Sequence, residues 1–197
     1  SNICTAQALL AIVSAAYAVY HGPKGIKKIA ESVSQLTKNF ADKLKQSGYE
    51  LYSDHFFDTV TVKTFDKTDK IYKNALDQGV NIRKVNSEML AVSFDERKNL
   101  YRANQLLKIF NCSETIKETM NESLSNIPKN LLRSSTYLDH PVFNSYHSET
   151  EMLRYLKKLE DADIALNRSM IALGSCLSLI HISEPTRRTP ISYAVFC

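Results

Sequence analysis

The chain has 197 residues, of which 44% are hydrophobic and 23% charged, and its formal net charge is +4. These values are ordinary for a globular protein and disfavour wholesale disorder, collagen-like repeats and a membrane-embedded protein. The charge excess is too small to indicate a nucleic-acid or anionic membrane partner by itself. The four cysteines, at positions 4, 112, 176 and 197, are too widely spaced for a metal motif and too few for a disulfide scaffold, which favours a reducing compartment.

Residues 6–20 form a nearly continuous apolar, alanine-rich stretch. No cationic segment precedes it, as a secretory signal would require, and it is shorter than the roughly 20 apolar residues of a membrane-spanning helix. Because alanine is the best helix former and the stretch is apolar on every side, we expect a helix buried by protein. Gly22 and Pro23 are predicted to end this helix and to begin the next one.

Residues 23–47 carry apolar side chains at spacings of three and four, with lysines between them. This pattern predicts an amphipathic helix, which Gly48 ends. The lysine-rich face is read as a solvated helix surface, with an acidic partner as the alternative.

Four short strands and two further helices are expected next. The strands are predicted where β-branched and aromatic residues concentrate, at 49–52, 56–64, 80–85 and 89–94. One helix is predicted between the two strand pairs, with Asp66 as its N-cap and Gly79 as its end. Another follows Asp95, and its apolar stripe ends at Phe110. This element order predicts an α+β fold with helices on one face of the sheet.

Residues 111–147 lose helical periodicity and are predicted to be a connector with one short helix. Residues 148–164 regain that periodicity. Ser148, with Glu151 three residues later, is typical of a capping box at the start of this helix. The neighbouring His147 leaves a second interpretation open, in which imidazole, hydroxyl and carboxylate form a catalytic group. No phosphate-binding loop, dinucleotide fingerprint, zinc spacing or Ser-His-Asp order occurs in the sequence.

The last segment, residues 177–197, differs in composition from the rest of the chain. It contains no Lys, Asn or Asp, although lysine is frequent before it. It also resembles translated sequencing-adapter peptides. We therefore expect it to be a non-native tail, the alternative being a genuine irregular segment.

Several stretches, taken in order, carry a family resemblance. They are SNICTAQALLA at 1–11, YAVYHGPKGIKKIA at 17–30, FFDTVTV at 56–62 and HPVFNSYHSETEMLRYLKKLEDADIALNRSMIALGSC at 140–176. Together they resemble the P-protein family of the glycine cleavage system, and the resemblance covers residues 1–176.

The resemblance implies a fragment of a pyridoxal-phosphate protein of fold type I, the aspartate-aminotransferase-like fold, which the family builds from two homologous halves. The expected parts are the end of the large domain of the N-terminal half, its small α+β domain, a connector, and the start of the C-terminal half. Their predicted ranges are 1–22, 23–110, 111–147 and 148–176.

The resemblance also implies an activity. Family members decarboxylate glycine with pyridoxal phosphate, whose ring accepts the electrons released with carbon dioxide, and pass the aminomethyl group to the lipoyl arm of H-protein. We expect the full-length protein to be a homodimer or a heterotetramer of the two halves, in the bacterial cytoplasm or, alternatively, the mitochondrial matrix. No nucleic-acid, membrane or metal partner is expected. The alternative is a non-catalytic paralogue or partner-docking module with the same small domain.

The resemblance places the cofactor-bearing lysine outside this chain, so no catalytic residue is assigned and the isolated chain is expected to be inactive. The candidates for the cofactor or substrate pocket are Ser175, Cys176, His147, Ser148, Asn2 and Thr5. The first two begin the segment that the family places near the cofactor. For Ser148, capping is the competing role.

Overall fold

A computed structural model describes residues 8–97, 100–117, 127–162 and 165–168. Of the predicted site residues, Asn2, Thr5, Ser175 and Cys176 lie outside these ranges, as does the segment 177–197. The described residues belong to two compact units. Those up to Lys24 and from Thr136 onward form one unit, and those within Gly25–Ser135 form the other.

Helix α1 spans Ala8–Gln46 and is broken at Gly22, whose backbone angles are φ 61° and ψ −178°. A positive φ favours glycine, and Pro23 supplies the φ with which a helix restarts. The predicted break at Gly22-Pro23 is therefore confirmed. The predicted end at Gly48 is confirmed as well, at φ 85°.

The segment of α1 before the break exposes its apolar side chains. Leu9 is 69% exposed and Leu10 is 70% exposed, whereas Val19 is buried at 5%. The predicted burial of this segment is thus not found within the chain, because no described element packs over that face. The expectation of burial applies only to a longer protein.

The second unit contains a four-stranded antiparallel sheet in the order β1-β2-β4-β3. The strands are β1 (Glu50–Leu51), β2 (Thr59–Lys63), β3 (Arg83–Lys84) and β4 (Met89–Ser93). All four predicted strands are present and all are shorter than expected, β3 covering two of its six predicted residues. The backbone at its two ends is used in turns, since Val80 N–H donates to Ala75 O and Val85 N–H donates to Met89 O.

Helices α2 (Thr68–Asp77), α3 (Leu100–Ile109) and the part of α1 after the break supply the rest of this unit's core. Val60 pairs with Val92 and Val62 with Leu90, so the four side chains share the sheet face that is buried in the core. The opposite face carries Thr59, whose hydroxyl lies 2.8 Å from that of a β4 serine. Large, fully buried side chains outside the sheet include Phe40, Leu44, Ile71, Leu107 and Phe110. The α+β prediction is confirmed as mixed helix and antiparallel sheet.

The predicted N-cap at Asp66 is wrong. A 3-10 turn over Phe65–Lys67 leads into α2, and the position before the helix is Lys67, without a side-chain cap. The hydroxyl of Thr68 donates to the carbonyl of Phe65, which ties the first residue of α2 to this turn. Gly79 ends the helix as predicted, at φ 68°.

In the described parts of 111–147, two 3-10 turns occur, at Lys129–Leu131 and Pro141–Asn144. Helix α4 (Glu149–Asp161) follows, with Ser148 at its N-cap. Across the described ranges, no helix combines the length and apolarity that a membrane span requires.

Candidate functional site

In the first unit, the break in α1 brings His147 onto the carbonyl of Tyr20. The imidazole Nδ1 lies 2.8 Å from that oxygen. A helix end leaves carbonyls without intrahelical donors, and a carbonyl can only accept a hydrogen bond. Nδ1 therefore carries the proton. In the neutral ring this leaves Nε2 as a lone-pair acceptor on an exposed side chain.

Gly22 allows this contact because it lacks a Cβ. A Cβ at this position would lie 2.7 Å from His147 Cε1 and 2.7 Å from the carbonyl oxygen of Phe143. Both distances are too short for carbon, so any other residue would displace the imidazole or the chain beside it. Glycine is required here both by its backbone angles and by the close approach of His147.

A second side chain binds the other side of the break. The hydroxyl of Tyr137 donates to the carbonyl of Pro23 over 2.8 Å. Two carbonyls that flank Gly22 are thus satisfied by residues more than a hundred positions away in the sequence. The break is held by specific hydrogen bonds within this unit.

Aromatic rings surround the same break. The His21 ring lies 4.3 Å from that of Tyr17 and 5.2 Å from that of Tyr20, measured between centroids. Next to His147 in the sequence, Tyr146 stacks its ring on that of Tyr155 at 4.3 Å, which joins the residues before α4 to the helix itself. These contacts restrict the orientation of the segment that carries His147.

Ser148 forms the predicted capping box with Glu151. Its hydroxyl donates to Glu151 Oε2 at 2.8 Å and accepts from Glu151 N–H at 3.3 Å, while its own N–H donates to the same carboxylate at 3.2 Å. Hydrogen bonds from Ser148 hold the pKa of the Glu151 carboxyl below its ordinary value. The Ser148 hydroxyl is thus committed to the helix end, and the Nδ1 proton of His147 to Tyr20. The capping role of Ser148 is confirmed.

The arrangement is suited to binding and to proton acceptance at one atom, Nε2 of His147. Within the described ranges, no group of three or more His, Cys, Asp or Glu side chains is placed to hold a metal ion. The sequence predicted His147 and Ser148 as candidates, but it did not indicate Tyr20 and Gly22, which contact His147, or Tyr137, which binds Pro23. The Gly22-Pro23 pair marked the helix break, but nothing in the sequence indicated which distant side chains would bind the freed carbonyls.

Comparison with known proteins gives a consistent result. The family described as the glycine cleavage system P-protein matches residues 1–110. A protein named glycine dehydrogenase (decarboxylating) from Pelagibacter ubique (strain HTCC1062) is 95% identical over 196 residues, which is 100% of this chain and 20% of that protein. Proteins of the same name are 49% identical in Aliivibrio fischeri and 46% identical in Photobacterium profundum, each with 100% of this chain and 21% of the relative aligned.

The chain therefore spans about a fifth of the length of the curated relatives it matches. The alignments cover the whole chain and so extend into residues 177–197. The non-native origin of that segment stays a prediction.

Proposed function

The chain belongs to the glycine cleavage system P-protein family, and from that premise we propose that the longer protein containing it decarboxylates glycine and transfers the aminomethyl group to the lipoyl arm of H-protein. The observation that carries the proposal is the 95% identity to a glycine dehydrogenase (decarboxylating) along the whole chain. The bacterial source of that relative favours the bacterial cytoplasm over the mitochondrial matrix as the compartment. The dimeric or heterotetrameric assembly expected for the family is part of the same proposal.

The proposed fold of the longer protein is pyridoxal-phosphate fold type I. The second unit, Gly25–Ser135, has the antiparallel sheet and helical layer expected of the small domain over residues 23–110, and it extends into the predicted connector. We propose that the first unit contains parts of both halves of the longer protein, the end of one half within residues 1–22 and the start of the other within residues 148–176.

The described residues do not fit a complete pyridoxal phosphate site. No hydrogen bond or ion pair within the described ranges joins a lysine to His147 or Ser148, and the Ser148 hydroxyl is engaged by Glu151. Ser175 and Cys176, the first candidates, lie outside the described residues. We propose that the cofactor is held mainly by other parts of the longer protein, with its lysine beyond Cys176.

His147 is the described residue that we propose for the pocket. Its Nδ1 proton is held by Tyr20, so that Nε2 presents a lone pair in a fixed orientation. Such an atom accepts a hydrogen bond from the ammonium group of an amino acid or from a hydroxyl. Asn2 and Thr5 are further candidates for the pocket. Ser148 has a structural role instead, as the N-cap of α4.

The test uses the full-length protein with pyridoxal phosphate and lipoylated H-protein, and it measures release of labelled carbon dioxide from carboxyl-labelled glycine. His147→Asn keeps an N–H at the position of Nδ1 and removes the acceptor at Nε2. We expect it to lower kcat/KM about a hundredfold, as loss of a positioned proton acceptor does.

His55→Gln is the matched control, since His55 is an exposed histidine of the second unit. It should leave kcat/KM unchanged. Absence of labelled carbon dioxide from the unmodified full-length protein would refute the proposed activity and favour the non-catalytic paralogue. Normal activity in His147→Asn would refute only the role of His147.

A further inference from the structure

The second unit contains a cavity of about 360 Å³, and none of the residues proposed for the reaction lines it. Three loops meet there: the end of α1, the turn between β2 and α2, and the end of α3. Its lining includes Tyr49, Lys63, Phe65, Lys67, Lys70 and Asn111. A volume of this order is that of a small-molecule site.

The backbone of Phe65 is the unusual feature of this cavity. Its φ is 47°, in the left-handed region that costs a non-glycine residue roughly 1–2 kcal/mol. The side chain is 50% exposed, so burial of the ring offsets little of that cost. Asn111 (φ 58°) and Gly48 (φ 85°) also line the cavity, but asparagine and glycine tolerate this conformation.

Buried hydrogen bonds hold Phe65 in place. The N–H groups of Thr64 and Phe65 both donate to the carbonyl of Glu88, at 2.7 Å and 3.0 Å. The buried Thr68 hydroxyl donates to the carbonyl of Phe65 at 2.7 Å, and the buried Thr64 hydroxyl lies 2.6 Å from that of Thr68 and 3.2 Å from the carbonyl of Glu88. Two buried hydroxyls therefore help to hold the backbone that carries one exposed aromatic ring, that of Phe65. Strain that is held in this way is typical of binding sites.

The charge around the ring is mainly positive. Lys63 pairs with Glu50 at 3.2 Å, and the Lys67 ammonium lies 6.0 Å from the centroid of the Tyr49 ring. Neither Lys67 nor Lys70 forms an ion pair with another described residue. Asp66 is the remaining carboxylate in the lining, so the cations outnumber the anions.

Tyr49 contributes a second flat, uncharged surface. Its hydroxyl donates to the carbonyl of Phe110 over 2.7 Å, and burial raises the pKa of the phenol above its ordinary value. The ring is therefore a neutral phenol at physiological pH, and the hydrogen bond fixes its position in the cavity wall.

We propose that this cavity binds a small organic anion that consists of an aromatic body and a carboxylate or phosphate group. Phe65 and Tyr49 contact the body, and Lys67 and Lys70 contact the anionic group. The site is separate from glycine decarboxylation and does not depend on that proposal.

The test titrates the 197-residue chain with four probes and follows amide resonances by two-dimensional NMR. Phenyl phosphate and benzoate carry both features, inorganic phosphate lacks the ring, and benzyl alcohol lacks the charge. We expect saturable shifts at residues 48–50, 63–67 and 110–111 with phenyl phosphate, benzoate or both, and at least about tenfold weaker binding of the other two probes. The better of the first two identifies the anionic group.

Two variants separate binding from folding. The double substitution Lys67→Gln with Lys70→Gln should weaken the better probe about tenfold or more, as loss of charged hydrogen bonds does. Lys73→Gln with Lys108→Gln changes the net charge equally at exposed lysines outside the lining and should leave the affinity unchanged.

Phe65→Asn gives the sharper result, because asparagine tolerates the left-handed conformation. Its melting temperature should equal or exceed that of the parent, while its affinity for the probe falls several-fold. A clear fall in melting temperature would mean that the ring is kept for packing and would overturn the proposal. Absence of saturable shifts at the lining residues, or equal weakening by both lysine pairs, would also overturn it.

Discussion

The two units of this chain are stabilised in different ways. Within Gly25–Ser135, a continuous core joins both central strands and three helical segments, and Phe40 and Leu44 in it are fully buried. Among the described residues of the first unit, only Val19 and Gly22 are buried. That unit is held instead by hydrogen bonds and ring contacts at the break in α1.

The difference shows that buried apolar side chains stabilise the second unit, whereas hydrogen bonds and ring contacts hold the first. The first unit exposes Leu9, Leu10, Leu153 and Leu159 on two helices, where a core would normally use them. The relatives that the chain matches are about five times as long. We expect the remaining sequence of the longer protein to bury these side chains.

The largest predicted effect tests this contrast directly. Phe40→Ala should lower the free energy of unfolding of the chain by about 3–5 kcal/mol, since it removes a fully buried ring. Leu10→Ala should change it by less than about 0.5 kcal/mol in the chain, because Leu10 is 70% exposed. Both are measured by urea denaturation, and the second is repeated in the full-length protein, where about 2–5 kcal/mol is expected. Similar small effects of Leu10→Ala in both contexts would contradict burial by the longer chain.

A smaller effect is expected at the helix break. Gly48→Ala meets no atom within 4 Å and should cost only the left-handed strain, about 1–2 kcal/mol. Gly22→Ala meets His147 and Phe143 as well, so it should also disrupt the bond between His147 and Tyr20. Hydrogen exchange at residues 142–147 and NMR of the imidazole measure this. An undisturbed His147 resonance in Gly22→Ala would show that the glycine is not needed for the approach.

The smallest effect concerns the cap of α4. Ser148→Ala should reduce the stability of this helix by about 1 kcal/mol, and Ser148→Asp should restore it. Because the pKa of Glu151 is lowered in the folded chain, its contribution is present above the ordinary pKa of glutamate and is lost as the pH falls through the folded value. Amide protection of α4, followed by hydrogen exchange, should therefore decrease at acid pH. In Glu151→Gln this acid-dependent decrease should be absent.

The features that sequence predicted well are those determined by neighbouring residues. The break at Gly22-Pro23 and the box of Ser148 with Glu151 each depend on residues at most three positions apart. The predicted cap at Asp66 was wrong because a 3-10 turn precedes α2 and moves its start to Thr68. A hydrogen bond from Phe65 N–H to the carbonyl of Glu88, a residue distant in sequence, helps to hold that turn. Strand β3 was predicted too long because its flanking residues bond to turns.

The site was less predictable for the same physical reason. The hydrogen bond between His147 and Tyr20 joins residues 127 positions apart, and the cavity at Phe65 combines three loops. Neither leaves a periodic signal in the sequence. The left-handed backbone of Phe65 runs against the preference of a bulky residue, so propensity alone would not place it there.

Cys112 is a buried thiol whose chemical labelling can measure how often the core of the second unit opens. The thiol is buried at 6% exposure beside the carbonyl of Phe110, and burial raises its pKa above the ordinary value. A thiol-specific reagent attacks the thiolate, so it reaches Cys112 only when the core separates. With peptide mapping to distinguish the other three cysteines, the rate of labelling at this one atom measures how often the core opens in the folded chain.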